Sequence, residues 1–136
     1  MHIIIHAIIN FIFGLILNLN RLEIFALVIG GIIIDIDHIV YMVSRKIYTP
    51  KEMLKFHIQE SKIMRPHFYF MHFIEPILLL MIIFYFVNIL MFYFFLGFLF
   101  HWIFDAISYI YFYKSSWPWI KYYSLTKLLI NYKKLS

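Results

Sequence analysis

With 136 residues, 64% of them hydrophobic and only 14% charged, the chain is far more apolar than the roughly 45–50% apolar, 25% charged make-up of a soluble domain, and it reads as a membrane protein. Its length suits a single membrane domain, 1–136, of about four spans at roughly 20 residues each, and excludes a second domain. There is no cysteine, which excludes disulfides, thiolate metal sites and cysteine nucleophiles, so any metal has to be held by imidazole and carboxylate.

The first apolar run, about 3–18, has no basic leader and no small-residue cleavage site and contains histidine, so it is expected to be a retained span rather than a signal peptide. It is short for a span, and Asn18, Asn20 and Arg21 suit the turn that ends it. A second span is expected over about 22–43. The polar stretch 44–66 follows, in which Thr49, Pro50 and Glu52 fit a capping box. A short interfacial helix is expected after it, with Met53, Leu54 and Ile58 on one face. The third and fourth spans, about 68–88 and 89–113, are divided by a tight turn near Asn88. In the tail, 115–136, Trp117, Trp119, Tyr122 and Tyr123 among lysines have the composition of a headgroup-zone segment. The expected fold is therefore all-α: an integral membrane bundle of about four transmembrane helices, with an interfacial helix between the second and third and an amphipathic C-terminal tail.

Charge supplies an orientation. Six of the 12 basic residues (Arg45, Lys46, Lys51, Lys55, Lys62, Arg65) lie in 44–66, five (Lys114, Lys121, Lys127, Lys133, Lys134) follow the last span, and Arg21 alone lies opposite. The positive-inside rule places the two basic regions and both termini in the cytoplasm, in a multi-pass protein of the plasma membrane. The net charge of +5 then faces anionic lipid headgroups, and no nucleic-acid partner is expected.

The remaining ionisable side chains in and beside the spans are few: His2, His6, Asp35, Asp37, His38, His67, His72, Glu75, His101 and Asp105. An Asp at the centre of a span costs about 2.5–3.5 kcal/mol, so such residues need partners. Four antiparallel spans supply them. His6 begins the first span at the cytoplasmic side, Asp35 to His38 end the second there, His67 and His72 open the third, and His101 and Asp105 lie in the cytoplasmic half of the fourth. His101 and Asp105 share a helix face, as do Asp35 and His38. Imidazoles with carboxylates are a ligand set for zinc, with iron or manganese as alternatives, and a cation would neutralise the carboxylates. The set His6, Asp35, His38, His67, His72, His101 and Asp105 is thus the expected metal site. The competing reading is a proton or ion path. A lone histidine at a membrane interface is ordinarily a hydrogen-bonded belt residue, which is the plainer reading of His2 and His57. Asp37 alternatively faces water or a loop amide, and Glu75, beside Pro76, alternatively supports a ligand.

These residues resemble the LexA-regulated, membrane-bound metal-dependent hydrolases. The strings that carry the likeness are HAIINFIFGL from His6, IIDIDH at 33–38, HFYFMH at 67–72, GFLFHWIFD at 97–105 and WPWIKYYSL from Trp117. They match the family's early histidine, P-D-I-D-H, H-R-G-x-T-H, G-Y-x-x-H-x-x-x-D and W-P elements in order and spacing. The chain departs from the family at Ile34, where proline is usual, and at Phe68, Tyr69 and Met71, which replace Arg, Gly and Thr. The H-x-x-x-D element is also similar to zinc-dependent phospholipase C.

The resemblance implies a metal-assisted hydrolase of a phosphoester or other ester, small-molecule or lipid, at the cytoplasmic surface. One or two cations would be held by His6, Asp35, His38, His72, His101 and Asp105, with Asp37 or Glu75 as general base. Two other functions fit the same residues: a transporter or proton-coupled carrier, and a non-catalytic metal-binding scaffold. The carrier needs a polar path to the opposite face, where the spans offer mainly Asn10, Asn18, Asn20 and Asn88.

Overall fold

A computed structural model describes residues 3–53, 55, 70–113, 124 and 126. Among them every regular element is helical: α1 (Ile3–Ile16), α2 (Arg21–Ile33), α3 (Ile36–Ser44), a 3-10 turn (Phe70–His72), α4 (Ile74–Val87) and α5 (Ile89–Tyr113). The expected interfacial helix beyond Met53 and the aromatic tail lie largely outside the described residues.

The connections follow from local chemistry. Asn18, in the left-handed region at φ 53°, closes α1, with Leu19 N–H donating to Gly14 O and Asn18 N–H to Leu15 O; asparagine tolerates that conformation. Asn20 then caps α2, accepting from the Leu22 and Glu23 amides while the Glu23 carboxylate accepts from the Asn20 amide. The Thr49–Glu52 capping box forms as the sequence predicts. Asn88 ends α4 and caps α5 through the Leu90 and Met91 amides, so one residue separates the two helices.

Two boundaries differ from the sequence expectation. The third helix begins at Ile74, not near 68, which puts Pro76 in the first helical turn, where its missing N–H breaks no bond. The second apolar run is not continuous. Asp35 N–H bonds to Ile32 O, one residue short of its α-helical partner, and the helix breaks between Ile33 and Ile36.

α2 packs against both α1 and α5, and α5 also lies along α4. The α2–α5 crossing is backbone on backbone. A Cβ at Gly30 would stand 2.0 Å from Phe94 O, and one at Gly97 would stand 2.1 Å from Leu27 O. Small residues at such a crossing are how helices approach closely where water does not drive them together. Beneath it, Ile34, Ile77 and Phe98 form a small apolar core.

On α1 the distribution of polarity is the inverse of that on a helix of a soluble protein. Ile4, Ile8, Phe11 and Leu15 of α1 are exposed, whereas His6 and Asn10 are buried. Arg21–Ser44 and Ile89–Ser108 are long and apolar enough to cross a membrane, and only 28% and 17% of their most apolar windows are buried within the chain, unlike the core helices of a soluble domain. The apolar helices α1 and α4 are shorter, with 14 residues each.

Candidate metal centre

The fold brings His6, Asp35, Asp37, His38, His72, His101 and Asp105 together at one end of the helices. The Gly97–Leu27 contact sets their spacing. His101 lies one turn beyond Gly97, and Asp35 one turn beyond Gly31, so the close crossing carries the two side chains to each other. His101 Nε2 is 3.4 Å from Asp35 Oδ1 and 3.3 Å from Asp105 Oδ2. Asp105 also reaches α1, with Oδ1 2.9 Å from His6 Nε2. Asp35 Oδ1 is a focus of three imidazoles, since His38 Nε2 and His72 Nε2 lie 3.7 and 3.9 Å away.

Two of the imidazoles have their tautomer fixed. His101 Nδ1 lies 2.7 Å from Gly31 O. A carbonyl only accepts, so Nδ1 carries the proton, and a neutral ring presents the Nε2 lone pair to the two carboxylates. Gly31 O is available because the break after Ile33 directs the Asp35 amide to Ile32 O. His72 Nδ1 lies 3.0 Å from Asp37 Oδ2, which also accepts from the Met71 amide, so His72 likewise turns Nε2 toward Asp35. A carboxylate or carbonyl behind the far ring nitrogen is the usual support of a metal-binding histidine.

His101 Nε2 is fully buried with no aligned hydrogen-bond partner. A lone pair facing two carboxylates is repulsive unless a proton or a cation lies between them. The spacing suits a cation: donors about 2.1 Å from a tetrahedral ion stand about 3.4 Å from one another. Among the described residues, three triads can each hold a metal ion, with donor atoms within 4.8 Å of one another: His6, His101 and Asp105; Asp35, His72 and His101; and Asp37, His38 and His72. The side chains of His6, His72 and His101 are fully buried, whereas Asp35, His38 and Asp105 are 17%, 18% and 12% exposed. The cluster is therefore closed at its three buried imidazoles and partly exposed at Asp35, His38 and Asp105.

Other residues fall differently. Asp37 is buried and orients His72. The Glu75 carboxylate accepts from Ser124 Oγ at 2.5 Å and from the Thr126 amide at 3.2 Å, and it belongs to none of the three triads. His67, proposed as a ligand, lies outside the described residues, as do His2, His57 and the WPWIKYYSL stretch apart from Ser124. Sequence reasoning missed Gly31 and Gly97, which set the approach, and it left Asn10 out of the cluster. Asn10 is 1% exposed, and both its amide atoms lack hydrogen-bond partners among the described residues. Its signal was the four-residue stripe His6, Asn10, Gly14, all three buried on α1.

No family model, curated protein or solved structure matches this chain.

Proposed function

We propose that the chain is a multi-pass membrane protein of about four spans whose His/Asp cluster holds zinc at the cytoplasmic surface and hydrolyses a phosphoester, with a lipid headgroup ester among the candidate substrates. The observation that carries the metal reading is the buried His101 Nε2, aimed at Asp35 and Asp105 while its other nitrogen is tied to Gly31 O. Hydrolysis rests on the partly exposed edge at Asp35, His38 and Asp105, by which a substrate oxygen could reach the cluster, and on the motif resemblance over 33–38 and 97–105. A divalent cation there supplies Lewis-acid polarisation of the scissile oxygen and a nucleophile at neutral pH. The chain's own residues orient it: Asp37 holds the His72 ring, and Gly31 holds that of His101.

The carrier reading has one observation in its favour, the buried amide of Asn10 one turn from His6. Against it, the buried stripe ends at the next turn, where a Cβ on Gly14 would meet the Ile24 side chain at 2.9 Å, and Asn18, one turn farther on, is exposed.

The test is the metal content of detergent-purified protein, wild type beside Asp105→Asn, with turnover of a chromogenic phosphodiester. Stoichiometric metal and hydrolysis, both lost in the variant, support the proposal. A wild type that stays metal-free after incubation with Zn²⁺, or binds metal without turning over phosphoesters or lipid esters, refutes it.

A further inference from the structure

We infer that the cluster holds two cations, with Asp35 the shared ligand: His6, His101 and Asp105 complete one position, and His38 and His72 the other. This rests on the metal-site reading above and sets its nuclearity. The donors do not gather around one point. A six-coordinate ion with bonds of about 2.1 Å keeps all its donors within about 4.2 Å of one another, whereas the described donors divide into triads. The His6–His101–Asp105 and Asp37–His38–His72 triads have no residue in common, and the third, Asp35–His72–His101, shares one imidazole with each. Between them stands Asp35, with Oδ1 3.4 Å from His101 Nε2 on one side and 3.7 Å from His38 Nε2 on the other. Among the rings, His6 stacks on His101 at 3.6 Å and His38 meets His72 edge-on at 4.8 Å, while His72 and His101 stand farther apart at 5.5 Å.

Charge points the same way. Asp35, Asp37 and Asp105 bring three negative charges into a site whose imidazoles must be neutral to ligate a metal. One divalent cation leaves a net negative charge in a poorly solvated place, which is costly and repels an anionic substrate. Two cations leave a net positive charge, the sign that attracts a phosphoester at the partly exposed edge. Paired cations about 3.5–4 Å apart can clamp both the attacking and the leaving oxygen of a displacement at phosphorus.

The experiment loads purified full-length protein with Mn²⁺, counts bound manganese by mass spectrometry and records the electron paramagnetic resonance spectrum. Two manganese per chain with an exchange-coupled spectrum are expected. His38→Ala should retain one manganese with an uncoupled six-line signal, and His6→Ala should do the same from the other side. One manganese per wild-type chain, uncoupled, overturns the two-cation inference while leaving a mononuclear hydrolase standing. No bound metal overturns both. The wild-type count decides the matter even if either variant fails to fold.

Discussion

Replacing Gly97 with alanine should weaken metal binding at the proposed centre without touching a ligand. The new Cβ would lie 2.1 Å from Leu27 O and 2.8 Å from Gly31 N, both backbone atoms that no rotamer change can move aside. To bring the first contact out to even 3.0 Å, α2 and α5 must part by about 0.9 Å. His101 is one turn farther along the same face, and its Nδ1–Gly31 O bond of 2.7 Å would lengthen to about 3.6 Å, which is no longer a hydrogen bond. Loss of such an orienting bond typically weakens metal affinity 10–100-fold, or about 1.4–2.7 kcal/mol. The assay is Zn²⁺ competition against a chromophoric chelator in detergent, with circular dichroism to confirm that the helices persist. Gly14→Ala is the control, because its Cβ meets only the Ile24 side chain, which can turn away. Wild-type affinity in Gly97→Ala, or an equal loss in Gly14→Ala, would refute the reasoning.

Asp37→Asn should lower Zn²⁺ affinity about 10–100-fold by weakening the support of His72, and Asp35→Asn should lower it further; the same competition assay checks this, and equal losses would erase the distinction between orienting residue and ligand. Asn10→Leu should raise the thermal unfolding temperature in detergent, because burying an unsatisfied amide costs about 1–3 kcal/mol, and a lowered temperature would show that the amide is bonded after all. The Glu52 carboxyl is held below the usual glutamate value by the Thr49 hydroxyl and backbone amide. A depressed carboxylate stabilises the fold above its unfolded-state pKa, and that contribution is lost as pH falls through the folded value. Hydrogen exchange at the Glu52 and Met53 amides, corrected for intrinsic rates, should therefore quicken from about pH 5 to about pH 3. A flat profile, or the same profile in Glu52→Gln, would contradict the assignment.

Features with a local cause were legible in the sequence. Asn88 could be read as a turn because it is the polar residue dividing a long apolar run, and α5 does begin at Ile89. The Thr49–Glu52 box needed only three residues of context, and the four-residue spacing of His101 and Asp105 is a helical property. The start of α4 was also available, since Pro76 belongs in a first turn and not in the middle of a helix begun at 68. What a single chain could not reveal was which residues meet across helices. Gly30, Gly31 and Gly97 look like ordinary membrane-helix glycines until α2 is laid on α5. Asn10, placed by its position far from the cluster, is buried beside it because α1 turns its polar stripe toward Gly31.

The break after Ile33 falls where no glycine or proline occupies 34 or 35, although the family pattern the chain resembles carries a proline at the position of Ile34, and the cluster depends on the break. Residues two apart on a continuous helix point about 200° away from each other. Asp35 and Asp37 would then diverge, with only one of them facing the bundle. Here both face it, Asp35 toward His101 and Asp37 toward His72, because α3 restarts at Ile36 with a new phase. The same break draws the Asp35 amide to Ile32 O and leaves Gly31 O to take the His101 proton. A single interrupted turn thus brings Asp35 and Asp37 to the same side and frees the carbonyl that sets the tautomer of His101. The local cost of a broken helix falls beside the His/Asp cluster, the pattern expected if that cluster is the site proposed above.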